Sequence, residues 1–184
     1  MAIVRKWIER LFSVSKESAK LTPVESSHHV TGVGIAEKEQ GDRYLTSGDF
    51  AAAAQCYRRA IEIDQHYAKA HCNLGFALKE QGLLKEAERC FTQALLLDPT
   101  LVDAHYLLGV LRQADDQLDA ALAHYRKALE LAPDFENAYL DACLLLAQQK
   151  RMGEATQLMQ AGIRQNPTYA NLHFYLGNIH NELE

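Results

Sequence analysis

Apolar and small residues recur along this chain with helical spacing, and the spacing is locked to one longer period. Between residues 68 and 101, Leu74 and Leu78 mark one amphipathic helix, and Ala87, Phe91, Ala94 and Leu95 mark a second. Gln81-Gly82 provides the turn between them, and Asp98-Pro99 ends the pair, because the residue before a proline is pushed out of the helical region. The scheme then repeats. Leu107, Leu108 and Leu111 lie on one helix, Ala121, Leu122, Tyr125 and Leu129 on the next, and Ala132-Pro133 closes it. A 34-residue step connects Gly41, Gly75, Gly109 and (two steps on) Gly177. The same step connects Ala53, Ala87, Ala121 and Ala155, then Tyr57, Phe91 and Tyr125, then Pro99, Pro133 and Pro167. Four residue types in phase at a fixed period predict a stack of identical two-helix units, an all-α solenoid.

The residue types explain the stacking. A glycine inside a helix costs about 1 kcal/mol relative to alanine, so the periodic glycines belong where two helices cross too closely for a side chain. The alanine series does the same from the partner helix, and the aromatic series fills the wedge toward the next pair. The periodicity divides the chain into residues 1–12, an apolar-basic segment, and residues 13–33, a Ser/Thr/His-rich linker. The repeats follow at 34–67, 68–101, 102–135 and 136–169, with one more helix at 170–184.

Departures from the period carry information too. Glu37 and Gln40 stand where later repeats place His and Leu, which gives the first helix a polar outer side. Gln65 replaces the repeat-ending proline. In the fourth repeat Ala142-Cys143 replaces Leu-Gly, Met159 replaces the aromatic and Gly162 replaces the second alanine, so this unit is expected to be the loosest. The final helix keeps the full apolar pattern of a first helix. It is either a natural solvating helix or the point at which a longer protein has been cut, and the apolar pattern favours the second.

With 184 residues, 48% of them hydrophobic, the chain has ample apolar surface for a folded array. Its net charge is −5, made of +2 over residues 1–33 and −7 over the rest, which argues against nucleic acid as a partner. Cys56, Cys72, Cys90 and Cys143 show no CxxC spacing and read as small buried hydrophobes in a reducing compartment. No apolar run approaches the ~20 residues of a membrane span. Lys6, Glu9 and Arg10 interrupt what would be a secretory core, so the cytoplasm is the expected location.

The two-helix units of 34 residues, with Leu74-Gly75, Leu108-Gly109 and Leu176-Gly177 followed by alanine, an aromatic, alanine and proline, resemble tetratricopeptide repeats over about 150 residues. In style the second and third repeats are most similar to those that precede O-linked sugar transferases. The resemblance implies a right-handed superhelix whose concave groove, lined by the first helix of each pair, binds a peptide or helix. The matching groove positions are Lys38, Lys69, Asn73, Phe76, Lys79, Tyr106, Leu107, Val110, Leu140, Leu144, Phe174 and Tyr175. Apolar and aromatic burial would supply most of the affinity, and Lys38, Lys69 and Lys79 would orient an acidic end of the ligand. Some relatives grip chaperone C-terminal carboxylates with a five-residue clamp. The matching positions here are Lys38, Asp42, Asn73, Asp103 and Leu107, of which only Lys38 and Asn73 suit that task.

No catalytic constellation appears: the chain has no Gly-rich phosphate loop, no GxSxG and no HExxH. Neither a cofactor nor a metal is expected. His71, His105 and His173 occupy one structural position in successive or alternate repeats, about 10 Å apart by helix-packing distance. That is too far to share a metal whose bonds to nitrogen are about 2 Å.

Ile3, Val4, Trp7, Ile8, Leu11 and Phe12 would form one apolar stripe on a helix, opposite Arg5, Lys6, Glu9 and Arg10. Three fates fit this segment: a disordered or cleavable leader, contact with a membrane surface, or docking into an apolar groove of the same chain or of a neighbour, which would give self-association. The expected function is that of a non-enzymatic protein-interaction scaffold. The competing expectation is the N-terminal recognition region of a larger glycosyl- or methyltransferase.

Overall fold

The computed structural model describes residues 32–169, 172 and 173. Among the described residues there are eight α-helices and no strand, giving an all-α solenoid of helical repeats. The chain divides into two compact units, one up to Leu101 and one from Val102 onward.

The first unit holds α1 (Gly32–Ser47), α2 (Phe50–Ile63), α3 (Ala68–Glu80) and α4 (Leu84–Leu97). Each helix packs on the next in sequence. Helix α1 begins two residues ahead of the boundary expected at residue 34. The second unit holds α5 (Val102–Ala114), α6 (Leu118–Leu131), α7 (Glu136–Gln148) and α8 (Met152–Gln165), again with each helix packed on the next.

The glycine series has the geometric cause expected of it. A Cβ on Gly41 would lie 2.6 Å from the Tyr57 ring, one on Gly75 2.7 Å from Phe91, and one on Gly109 2.6 Å from Tyr125. Each aromatic belongs to the second helix of the same pair and is fully buried. The paired alanines Ala53, Ala87, Ala121 and Ala155 are equally buried.

The two helices of the fourth repeat meet less extensively than those of the other pairs, in keeping with the looseness expected of it, yet its irregular positions are filled. Cys143 and Met159, at the glycine and aromatic positions, are both buried. The site of Gly162 is filled by its neighbours: a Cβ there would meet Leu172 at 2.6 Å and Tyr139 at 2.9 Å. The irregular residues compensate for one another, so the unit closes with a different set of side chains.

Two further periodic devices shape the loops. The turn inside each pair passes through a left-handed residue at Gly48, Gly82, Asp116 and Lys150, spaced by the repeat. Three of the four pairs, all but the third, which closes at Ala132, end in an Asx turn. Asp64 Oδ1 accepts from the His66 backbone N–H at 2.9 Å, Asp98 Oδ1 from Thr100 at 2.9 Å, and Asn166 Oδ1 from Thr168 at 3.0 Å. Asp64 ends its helix in the same extended conformation as Asp98, although no proline follows it. The side-chain acceptor therefore suffices to stop the helix without the proline.

Candidate functional site

The residues that the sequence places on the groove fall on the first helix of each pair. In the first unit they lie on α1 and α3. The organising group there is Asp42, which is buried. Its Oδ1 accepts from the Tyr57 hydroxyl at 2.8 Å and from Asn73 Nδ2 at 3.1 Å, and its Oδ2 pairs with Lys38 Nζ at 2.6 Å. Burial, and after it the Asp42 charge, hold the Tyr57 phenol far above its ordinary range. Lys38 and Asn73 are thus engaged inside the protein. Lys79 pairs with Glu80 at 2.5 Å and lies over the buried Phe76 ring at 5.4 Å from its centroid. Lys69 is exposed on α3.

Two of the three lysines expected to orient an acidic ligand therefore already face carboxylates. The signal was present in the spacing: Lys38 and Asp42 are i and i+4 on one helix, which brings their side chains together.

In the second unit the candidate residues lie on α5 and α7. Tyr106 and Leu107 are buried, Val110 and Leu140 are half-buried, and Leu144 is 38% exposed. Tyr106 stacks at 4.9 Å between centroids on Phe135 and at 5.8 Å on Tyr125, and its hydroxyl donates to Asp141 Oδ2 at 2.6 Å. This bond ties α5 to α7, one repeat apart. Burial pushes the Asp141 carboxyl above its usual range, with the Tyr106 hydroxyl acting in the opposite direction. Burial followed by the Asp141 charge raises the Tyr106 and Tyr125 phenols.

Along α7, Asn137, Leu140, Asp141, Leu144 and Gln148 retain exposure at i, i+3, i+4 spacing and so share one strip; Glu136 and Ala147 also retain exposure. On α5, Asp103 and Val110 are likewise half-buried. Phe174 and Tyr175 lie outside the described residues, as do Ile3, Val4, Trp7, Ile8, Leu11 and Phe12.

The histidines serve as structural pins. His71 Nε2 lies 3.0 Å from the Gln65 carbonyl, and His173 Nε2 lies 3.0 Å from the Pro167 carbonyl, six residues back in each case. His105 and His124 meet through their Nδ1 atoms at 3.4 Å. Among the described residues no group of three His, Cys, Asp or Glu side chains is placed to hold a metal ion, and no helix is long and apolar enough to cross a membrane.

This architecture has close structural parallels. A solved structure from the functional characterisation of Pseudomonas aeruginosa pilF superposes with a TM-score of 0.74 at 20% identity, covering 82% of this chain and 68% of that one. YrrB, described as a TPR protein with an unusual peptide-binding site, superposes with a TM-score of 0.66 at 23% identity, covering 81% and 77%. The first TPR of Spaghetti (RPAP3), solved bound to an HSP90 peptide, does so at 0.62 and 24% identity, covering 66% and 98%. In sequence, a TPR repeat-containing protein of Picosynechococcus sp. is 43% identical over 44 residues, which are 24% of this chain and 11% of that protein, so the matched stretch is a small part of its length. Residues 41–82 match the family described as TPR repeat, residues 68–101 and 102–135 match the one described as Tetratricopeptide repeat, and the chain belongs to the tetratricopeptide repeat family.

Proposed function

We propose that this chain is a non-enzymatic interaction scaffold that holds a peptide or helix in the groove lined by the first helices of its repeats. The observation that carries this reading is the strip on α5 and α7. Leu144, Leu140 and Val110 keep apolar surface exposed beside a polar, hydrogen-bonded base formed by Tyr106 and Asp141. Apolar surface retained next to oriented polar groups is the usual character of a peptide-binding face. Peptide binding by YrrB and by the Spaghetti domain supports it by analogy of fold. The anchors are the exposed edge of the strip, while buried Tyr106 and Leu107 shape its floor.

Leu144→Glu is the discriminating substitution, because Leu144 is exposed and its replacement leaves the core intact. Peptides selected from a displayed library against the full chain should bind the Leu144→Glu variant at least about tenfold more weakly, a loss of about 1.4 kcal/mol. Equal binding by a variant with unchanged helical circular dichroism would refute the assignment.

A further inference from the structure

His105 on α5 and His124 on α6 belong to the two helices of one pair, and their Nδ1 atoms stand 3.4 Å apart. That separation is the bite of a metal ion. Two imidazole nitrogens bound to a tetrahedral zinc at about 2.0–2.1 Å subtend about 109°, so they lie about 3.3–3.4 Å from each other. The ring centroids are 5.7 Å apart and the planes are inclined at 39°, so the rings meet by their edges rather than by stacking. Both residues are half-buried, so an ion can reach them from solvent.

Packing holds the two rings at this distance. Gly109, one turn after His105, crosses close against Tyr125, the neighbour of His124. Tyr125 is locked in place by full burial and by its bond to Gln113. Ligands carried on two packed helices are already in position when the ion arrives.

The tautomers fit as well. His71 and His173 hold the position of His105 in other repeats, and in each of them Nε2 faces a backbone carbonyl at 3.0 Å. A carbonyl only accepts, so the proton sits on Nε2 and the lone pair on Nδ1. On that pattern His105 presents a lone pair at the nitrogen that meets His124. In the free protein His124 donates its Nδ1–H across the gap. When an ion enters, that proton moves through water to Nε2 of His124, and both lone pairs turn to the metal with no net release of protons.

Among the described residues no third His, Cys, Asp or Glu completes the set, so two positions of a tetrahedral ion stay open to water or to a donor from another molecule. Arg112 acts on the His124 ring, and its charge opposes the ion. Both features make this an exchangeable site rather than a closed structural one.

We propose that His105 and His124 form an open two-histidine zinc site that clamps α5 to α6 through both Nδ1 atoms. The site does not depend on peptide binding in the groove. Zinc chloride alone, titrated into the full chain at neutral pH in a non-chelating buffer, should bind one ion per chain by calorimetry. Ring-nitrogen NMR should then show the shifts at Nδ1 of His105 and of His124. His105→Gln and His124→Gln, with unchanged helical circular dichroism, should each weaken binding at least about tenfold, because each removes one of the two protein ligands. Zinc should raise the urea midpoint of the unsubstituted chain and leave that of either variant where it was. Joint His28→Gln and His29→Gln, which removes the adjacent histidines of the linker, should not alter binding, and neither should His71→Gln. The NMR shifts are read on the unsubstituted chain, so they decide the matter even where a variant fails to fold. Zinc that moves other ring nitrogens and not these two, that is lost with His28 and His29, that binds His124→Gln as tightly as the unsubstituted chain, or that does not bind at all overturns the proposal.

Discussion

The Tyr125 ring fills the space in which a Cβ on Gly109 would stand, with its nearest carbon 2.6 Å from that point. The ring cannot swing aside. It is fully buried, and its hydroxyl donates to Gln113 Oε1 at 2.7 Å. Gly109→Ala therefore sets an overpacking cost of about 1–3 kcal/mol against a helix-propensity gain of about 1 kcal/mol. A net loss of about 1–2 kcal/mol is expected in urea unfolding, and Tyr125→Leu should recover part of it in a double-mutant cycle. The fourth repeat already shows the alternative solution, with Cys143 at the glycine position and the slim, flexible Met159 opposite. Met159→Phe alone should destabilise that repeat, and Cys143→Gly combined with it should restore stability. Strict additivity of the two would contradict the pairing.

His105 and His124 face each other through Nδ1 at 3.4 Å, a geometry that accommodates at most one proton between them. Burial, then His105, then Arg112, lower the His124 pKa below the ordinary imidazole range. A depressed imidazole pKa means that the folded state binds fewer protons than the unfolded state. The contribution is therefore fully present above the unfolded His value and is lost as pH falls through it toward the folded value. Unfolding free energy should decline across the imidazole range on acidification, and His124→Gln should flatten that slope. An unchanged slope in the variant would assign the pH dependence elsewhere.

The fold was legible because it rests on spacing. Gly41, Gly75 and Gly109, the aromatics opposite them and the buried alanines all sit where the period puts them, since each repeat solves the same packing problem. What escaped the reading depends on side chains meeting across helices. Lys38 has the right position and charge to meet an acidic ligand, but whether that charge is free depends on Asp42 one turn away and on Tyr57 and Asn73 from two other helices. Phe76, Tyr106 and Leu107 share the groove face in the periodicity and are nevertheless buried, because a strip of first-helix residues is also where neighbouring repeats touch. The Asx turns were hidden by the prolines: Asp98-Pro99 reads as a proline stop, and Asp64, with no proline after it, reveals the acceptor that the two positions share.

Asp42 is the polar group whose loss the first unit should tolerate least. Asp42→Ala leaves the Tyr57 hydroxyl buried without its acceptor and strips the part-buried Lys38 of its counter-charge. Orphaned groups of these kinds cost about 1–3 kcal/mol each, so a loss of about 2–4 kcal/mol is expected in chemical denaturation. Tyr57→Phe, which removes the donor and leaves Asp42 its other two partners, should cost less than half as much. Comparable losses in the two variants would show that Asp42 is not the hub.

The left-handed turn position is occupied by Gly48 and Gly82 in the first two repeats, by Asp116 in the third and by Lys150 in the fourth. Glycine adopts this conformation freely, and Asp tolerates it through local hydrogen bonding of its short side chain. Lysine has neither advantage, and holding it at φ 60° costs on the order of 1 kcal/mol. Its side chain is exposed at the turn between α7 and α8, so little packing is lost when it is removed. Lys150→Gly should therefore stabilise the chain by about 0.5–1 kcal/mol, even though glycine raises the entropy of the unfolded state. Lys150→Ala, which gives up the same side chain without relieving the backbone, should give no gain. Thermal and urea unfolding of the two variants separate these effects: equal stability would mean that the turn carries no strain, and a gain confined to glycine would locate it at this residue.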